Sequence, residues 1–217
     1  MEVVYEDNHL IIVNKACGEI VQGDRTGDEP LVETLKQWIK VKYDKPGNVF
    51  CGVTHRIDRP TQGLVIFART SKGLSRMNDL FRRGEVHKTY WALTCGRPDP
   101  AEGELVHWIS RNEKLNKSFA FDREKSGTKL ARLRYRLLRD TDRYHLVEVE
   151  LLTGRHHQIR CQLSTVGCPI KGDLKYGAPR SNRDGGISLH ARRITFIHPV
   201  RKEEICIEAP VDWAELR

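Results

Sequence analysis

The sequence predicts a mixed α+β fold, built mainly from antiparallel β-strands flanked by helices. Short runs rich in β-branched and aromatic residues recur along the chain, helical stripes of apolar residues separate some of them, and turn-forming residues divide neighbouring strands. With 217 residues, the chain suits one large domain or two closely joined lobes. We expect a single domain over residues 1–217.

Strands are predicted where apolar and β-branched residues cluster or alternate with polar ones. Residues 3–15 contain two such runs around a Glu-Asp-Asn turn and should form a hairpin. From Leu130 to Leu138, apolar residues alternate with arginines, which predicts one buried face and one basic face. The other predicted strands are Val49–Thr54, Leu64–Ala68, Lys88–Cys95, Tyr144–Leu152, Ile187–Phe196 and Glu204–Ala209.

Three segments show the apolar spacing of amphipathic helices. The first spans Asp28–Tyr43. The second contains an apolar stripe that begins at Leu74, and it should end at Gly84 because glycine readily adopts the left-handed conformation that terminates helices. The third spans Gln158–Val166 and places Val166 on its apolar face.

Charge and hydropathy narrow the class of partner. The chain carries 37 basic and 29 acidic residues, for a formal net charge of +8. A basic excess favours nucleic acid, although anionic lipids and acidic proteins remain alternatives. The longest apolar run, Leu10–Val13, is far shorter than the roughly 20 residues that cross a bilayer, so no membrane partner is expected.

The N-terminus and the cysteines predict a cytoplasmic protein. The first residues lack a basic stretch followed by an apolar run, so no secretory signal is expected. The six cysteines are scattered without a C-x-x-C pair, which argues against structural zinc. We expect reduced, buried thiols.

The densest polar cluster is the segment Thr54–Gly63, between two predicted strands. On spacing alone, a solvated turn with weak surface ion pairs is the more common explanation of such a cluster. The alternative is a catalytic acid: Asp58 is flanked by Arg56 and Arg59, whose positive charge would favour the ionised carboxylate that a nucleophile requires.

Two further clusters combine basic and aromatic residues. In Thr153–Leu163, Arg155, His156 and His157 precede a helix, where basic groups can hold phosphates; adjacent histidines point in different directions, so no metal is expected. In Lys88–Ala92, Lys88 and Tyr90 share one face of a strand. A tyrosine there ordinarily packs in a core, but on a basic surface it could stack on an unpaired base.

These clusters, in this order, resemble the RluA family of RNA pseudouridine synthases. The resemblance is carried by D-N-H-L-I-I-V-N-K-A-C-G, H-R-I-D-R-P-T-Q-G, K-T-Y-W-A, G-R-H-H-Q-I-R-C-Q-L followed by G-C-P-I-K-G-D-L-K-Y-G, and L-H-A-R-R-I-T-F-I-H-P. The family pattern H-R-L-D-R-x-T-S-G is met with Ile57 in place of leucine and Gln62 in place of serine. The fold implied is that of a pseudouridine synthase catalytic domain without the S4 domain of some relatives.

The resemblance implies a cofactor-free isomerisation that detaches uracil at N1 and rejoins it through C5. Asp58 matches the catalytic carboxylate, by attack on C1′ or by elimination to a glycal. Tyr90 matches the tyrosine that stacks on the flipped base, Arg160 the arginine that pairs with the catalytic acid, and Leu189 the apolar floor of the pocket. The residues expected to contact RNA are His55, Arg56, Arg59, Lys88, Arg155 and His157.

The competing hypotheses are a catalytically silent RNA-binding protein or chaperone of the same fold, and a metal-dependent nuclease that uses His156 and His157. The silent protein would require loss of Asp58, Tyr90 or Arg160, and all three stand where the motifs expect them. Transfer RNA is favoured over ribosomal RNA as the substrate, and a monomer is expected.

Overall fold

The computed structural model describes residues 1–24 and 26–217, and this part of the chain forms a mixed, mainly antiparallel fold, as predicted. Its helices are α1 (Leu31–Lys42), α2 (Ser71–Arg83) and α3 (Gln158–Thr165). Its strands are β1 (Glu2–Glu6), β2 (Leu10–Lys15), β3 (Gly52–Val53), β4 (Gln62–Ala68), β5 (His87–Thr94), β6 (Glu102–Asn112), β7 (Lys117–Phe121), β8 (Lys129–Asp140), β9 (His145–Leu151), β10 (Leu189–Ile197) and β11 (Glu204–Glu208). Among these residues, none of the helices is long and apolar enough to cross a membrane.

The chain forms two compact units. The first, called unit 1 below, comprises Met1–Val86 and Arg193–Ala209, and the second, unit 2, comprises His87–Arg192 and Pro210–Arg217. In unit 1, β1, β2 and β4 are antiparallel neighbours, β3 pairs with β4, and β11 pairs with β10 from Arg193 to Ile197. The predicted hairpin at the N-terminus is confirmed.

The apolar run in β2 is buried on both of its faces. Leu10 and Ile12 belong to a core cluster that includes Met77 of α2, whereas Ile11 and Val13 belong to a cluster formed with the apolar stripe of α1. The two helices therefore pack on opposite faces of the unit 1 sheet. This burial explains why β2 has a continuous apolar sequence rather than an alternating one.

The predicted end of α2 at Gly84 is confirmed, because Gly84 adopts the left-handed conformation with φ of 73°. The N-terminus of α2 is capped by Thr70, whose hydroxyl accepts a hydrogen bond of 3.0 Å from the backbone N–H of Gly73. This cap fixes where α2 begins after β4.

Unit 2 contains a five-stranded antiparallel sheet in the order β5, β9, β8, β6, β7. The alternation predicted for β8 is confirmed, since Ala131, Leu133 and Tyr135 are buried. The arginines between them do not form a free basic stripe. Each faces a glutamate of a neighbouring strand: Arg132 pairs with Glu104 at 2.6 Å, Arg134 with Glu150 at 3.5 Å and Arg136 with Glu148 at 3.0 Å.

Several details differ from the sequence-based expectations. The hairpin of β6 and β7 was not predicted, because polar residues such as His107 and Ser118 occupy buried positions in these strands. The strand predicted at Val49–Thr54 is limited to Gly52–Val53. Val166 is 42% exposed, because α3 ends at Thr165 and Val166 lies beyond its last turn. Cys51, Cys161 and Cys168 are buried, as expected, whereas Cys206 is exposed.

Candidate active site

The H-R-I-D-R loop of unit 1 joins β3 to β4 and is held to the middle of β4. The Thr54 hydroxyl donates a hydrogen bond of 2.7 Å to the carbonyl oxygen of Ile66, and Nε2 of His55 accepts one of 3.0 Å from the Ile66 N–H. The His55 ring also packs against Phe81 of α2, with ring centroids 4.8 Å apart. These contacts fix the start of the loop and commit Nε2 of His55 to the backbone.

Asp58 lies in a tight turn at the end of this loop. Its carbonyl oxygen accepts a hydrogen bond of 3.0 Å from the Thr61 N–H, and its side chain is only partly buried. Arg59 directs its guanidinium to Asp28 at 2.6 Å, and this contact lowers the pKa of Asp28. Arg56 is exposed. The turn thus carries a partly buried carboxylate two residues from an exposed arginine.

A buried lysine holds the backbone of the same turn. Lys15 is 1% exposed, and its ammonium donates hydrogen bonds of 2.9, 2.8 and 3.0 Å to the carbonyl oxygens of Ala16, Glu19 and Arg59. Burial lowers its pKa to about 8, against the opposing effect of nearby carboxylates that include Asp58. Lys15 therefore anchors the carbonyl of the residue that follows Asp58. Lys15 was not predicted as a site residue, although it lies within the quoted N-K-A-C-G motif.

Unit 2 holds Tyr90 and Lys88 on β5. Tyr90 is 6% exposed and lies opposite Val149 of β9. Lys88 is partly buried, and its Nζ lies next to Gly154 in the T-G-R segment. A Cβ added to Gly154 would be 3.8 Å from this Nζ. Burial lowers the pKa of Lys88 to about 8. At neutral pH this lysine is therefore charged but close to its titration range.

Arg160, on α3, forms a buried bidentate ion pair with Asp173. Its Nε donates to Oδ2 at 2.6 Å and its Nη2 donates to Oδ1 at 2.9 Å, and the two side chains are 6% and 1% exposed. The guanidinium also lies over the Tyr176 ring, 5.1 Å from its centroid. Two parallel charge-assisted bonds fix the plane of the guanidinium. Asp173 was not predicted as a site residue, although it lies in the quoted K-G-D segment.

The paired histidines of unit 2 belong to a polar network around Tyr176. His157 is 8% exposed, and its Nδ1 lies 3.0 Å from the Tyr176 hydroxyl, which also accepts a hydrogen bond of 2.8 Å from the Ser118 N–H. His156 stacks on His157, with ring centroids 3.8 Å apart, and its Nδ1 lies 2.8 Å from the Ser118 hydroxyl. His157, which was expected to contact RNA, is thus placed in the interior. Its ring stabilises the fold around α3.

Two of the other predicted residues in unit 2 occupy different environments. Arg155 is exposed, and its Nε donates a hydrogen bond of 2.8 Å to the carbonyl oxygen of Leu130. Leu189, at the start of β10, is 4% exposed. Within residues 1–24 and 26–217, no group of three or more His, Cys, Asp or Glu side chains is arranged to hold a metal ion.

The chain is similar to known proteins over nearly its whole length. Residues 9–165 match the profile of a family described as RNA pseudouridylate synthase. The chain is 33% identical, over 97% of its length, to a ribosomal large subunit pseudouridine synthase C of Vibrio cholerae. It is 31% identical over its full length to a tRNA pseudouridine synthase C of Vibrio vulnificus, of which it covers 94%. It spans only 65% of the length of the first curated relatives that it matches.

A solved structure shows the same similarity in three dimensions. The human RNA pseudouridylate synthase domain containing 4 protein matches 97% of this chain and 88% of its own, with a TM-score of 0.81 and 25% sequence identity. The match therefore includes both compact units.

Proposed function

Because the chain belongs to the RNA pseudouridylate synthase family, we propose that it isomerises uridine to pseudouridine in structured RNA, with Asp58 as the catalytic carboxylate. The observation that carries this proposal is the H-R-I-D-R loop. A partly exposed carboxylate stands on a turn whose backbone is fixed by Lys15 and by β4. Such a fixed acid suits a reaction that depends on placing one group against one atom of the substrate.

The reaction rearranges bonds within one nucleotide. The glycosidic bond between N1 and C1′ breaks, the uracil turns, and a new bond forms between C5 and C1′. C5 then loses its proton and N1 carries one, so the product is an isomer of the substrate and neither a cofactor nor a hydrolytic water is consumed. We propose that Asp58 acts at the sugar, by attack on C1′ or by assisting elimination to a glycal.

Tyr90 and Arg160 have distinct proposed roles. Tyr90 lies on a strand and is mostly buried, which restricts the movement of its ring, and we propose that the ring stacks on the flipped uracil. Arg160 is proposed as the arginine that the family pairs with its catalytic acid. Its bidentate bond to Asp173 would hold its guanidinium in a fixed plane for that role.

RNA binding draws on the basic excess and on exposed cations near the motifs. A uridine inside folded RNA must leave its stack before it can react, at a cost of a few kcal/mol. Phosphate contacts offset that cost, and Arg56 and Arg155 are both exposed and positively charged. Lys88 and Arg59 extend the proposed set. His55, whose Nε2 is bonded to β4, completes the proposed set.

Transfer RNA is the substrate that we propose first. The relative of which the chain covers 94% is named a tRNA pseudouridine synthase, whereas it covers 65% of a relative named for the ribosomal large subunit. A monomeric state and a cytoplasmic location, expected from the sequence, are part of the same proposal, as is a single catalytic domain that comprises both units.

Release of tritium from RNA labelled at uridine C5 tests the proposed reaction directly, because isomerisation exchanges that hydrogen with water. We expect release from tRNA with the wild-type protein and none above background with Asp58→Asn, while binding of the same RNA stays within about twofold because one charge is lost from many. Asp212→Asn, which changes an exposed aspartate in the same way, is the matched control and should keep full activity. Normal release with Asp58→Asn would contradict the assignment, and binding without release by the wild type would favour a silent RNA-binding protein.

A further inference from the structure

One face of the unit 2 sheet carries a group of apolar side chains that are exposed or only partly buried. Phe121, Trp108 and Leu130 stand in one row across β7, β6 and β8, as their pairing shows. Phe119 lies beside this row on β7, and Val106 lies beside it on β6. Val106 is 49% exposed, Phe119 39% and Leu130 36%, and the other two are partly buried. We call these five residues the aromatic face.

The aromatic face departs from the pattern of its own sheet. An antiparallel sheet with one solvated face normally carries polar residues on that face. The rest of this face follows the rule, because the arginines of β8 pair there with glutamates of β6 and β9. The opposite face holds the buried residues, including Ile109 and Ala131. An apolar patch at outward positions of one corner is the kind of exposure that marks an interaction surface.

Two lysines lie close to aromatic rings of this face. Nζ of Lys125 lies 4.0 Å from the centroid of the Phe121 ring, and Nζ of Lys117 lies 5.7 Å from that of Phe119 and 5.1 Å from that of Tyr176. In the described part of the chain, neither lysine forms an ion pair, although Asp122 follows Phe121 directly. Flat rings with unpaired cations beside them match a nucleobase attached to a phosphate.

We propose that the aromatic face is an additional RNA-binding surface, on which unpaired bases stack on Phe119, Phe121 and Trp108 while Lys117 and Lys125 contact the phosphates. Exposed aromatic residues on a β-sheet with basic neighbours are a recurrent solution for single-stranded RNA. The choice of RNA as the partner rests on the proposed function, but the surface itself does not depend on catalysis.

This surface is separate from the proposed catalytic residues of unit 2. Tyr90 lies in a row with Val149 and Tyr135, and these residues alternate along their strands with those of the solvated face. Tyr90 therefore lies on the opposite face of the same sheet. The aromatic face would bind a segment of the RNA other than the nucleotide that reacts.

The charges disfavour a second copy of the chain as the occupant. A two-fold interface formed by this face would bring the same patch from each copy together, so that Lys117 and Lys125 of both copies would meet. Like charges across an interface oppose association. An anionic partner removes this repulsion, which is why we assign the face to RNA.

Binding of a fluorescently labelled 12-nucleotide oligoadenylate, followed by anisotropy at low salt, tests this inference. Oligoadenylate stacks well and contains no uridine, so it cannot serve as a substrate. We expect Phe119→Leu with Phe121→Leu to weaken binding by about tenfold or more, because leucine keeps apolar area but lacks a ring on which a base can stack. Phe119→Tyr with Phe121→Tyr keeps the rings and should bind as the wild type does. Val41→Ala, at an 82% exposed apolar position on α1, is the control for a general loss of surface area.

Three results would overturn the inference. The first is that the wild type does not bind oligoadenylate. The second is that the double leucine variant binds it with an affinity within about twofold of the wild type. The third is that the wild type sediments as a dimer that Phe119→Asp dissociates. Asp58→Asn should bind oligoadenylate normally. If the wild type releases no tritium but binds oligoadenylate through the aromatic face, the proposed isomerisation is wrong and the RNA-binding surface is supported. If the wild type releases tritium normally and the double leucine variant binds oligoadenylate as well as the wild type does, the isomerisation is supported and the RNA-binding surface is wrong.

Discussion

Removing the carboxylate of Asp173 should destabilise the protein strongly, because it takes away the group that accepts two charge-assisted hydrogen bonds from the buried guanidinium of Arg160. The two side chains are 1% and 6% exposed, and both oxygens of Asp173 accept hydrogen bonds from Arg160. Breaking a buried ion pair from one side costs about 3–5 kcal/mol. At about 2–4 °C per kcal/mol for a chain of this size, Asp173→Ala should lower Tm by about 6–20 °C.

Urea unfolding followed by circular dichroism measures this loss, and two further variants show where it comes from. Asp212→Asn removes one partner of an exposed ion pair, with Asp212 and Arg217 2.7 Å apart, and should leave the unfolding midpoint unchanged. Arg160→Met with Asp173→Leu replaces the whole pair by apolar side chains and should recover most of the stability lost in Asp173→Ala.

The double variant also separates folding from catalysis. If Arg160 takes part in the reaction, Arg160→Met with Asp173→Leu should be folded and stable yet should release no tritium from labelled tRNA. A loss of less than about 1 kcal/mol in Asp173→Ala would refute the reasoning on the buried pair, because it would mean that water or another group replaces the carboxylate. Full activity in the stable double variant would remove Arg160 from the proposed mechanism.

Three further predictions concern single side chains. Lys15→Met should lower the free energy of unfolding by about 1–3 kcal/mol in urea and should also lower tritium release, because the ammonium bonds three backbone carbonyls, one of them in the turn that carries Asp58; full turnover in this variant would contradict the proposed role of the fixed turn. Burial lowers the pKa of Lys88 to about 8, so its charge and its contribution to RNA affinity should be lost as the pH rises through 8. RNA binding measured by anisotropy should therefore weaken near pH 8 in the wild type but not in Lys88→Arg, because arginine keeps its charge. In the same pH range, the unfolded chain binds the Lys88 proton while the native chain releases it, so the contribution of Lys88 to stability should rise between pH 8 and its ordinary pKa of about 10.4. Tyr90→Phe should bind tRNA within about twofold of the wild type because the ring remains, and a larger loss would show that the hydroxyl contributes to binding.

Local patterns in the sequence were sufficient for much of the fold. The apolar stripe of α2 and the terminator at Gly84 predicted that helix, and the alternation in β8 predicted which of its residues are buried. These features depend on neighbours within one element, which the sequence displays. The hairpin of β6 and β7 escaped notice because Ser118 and His107 fill core positions that a pattern of apolar residues does not reveal.

The site was harder to predict from the sequence because its supporting contacts join segments that are distant in the chain. Arg160 meets Asp173 across 13 residues, and Lys15 meets the carbonyl of Arg59 across 44 residues. A periodic pattern in the sequence does not indicate such long-range contacts. The basic face of β8 was predicted, but its neutralisation depends on which glutamates the neighbouring strands place opposite its arginines. The sequence shows His157 only as a basic residue before a helix. Its left-handed backbone, with φ of 51°, and its bond to Tyr176 are visible only in the fold.

Mapping of pseudouridine at single-nucleotide resolution tests the central claim most directly. The RNA would come from cells that lack the gene and from the same cells complemented with the wild type, Asp58→Asn or Asp212→Asn. We predict that one or more sites, first of all in transfer RNA, disappear without the gene and return with the wild type and with Asp212→Asn but not with Asp58→Asn. Sites that return with Asp58→Asn, or an unchanged map in cells without the gene, would contradict the assignment of this chain as a pseudouridine synthase that uses Asp58.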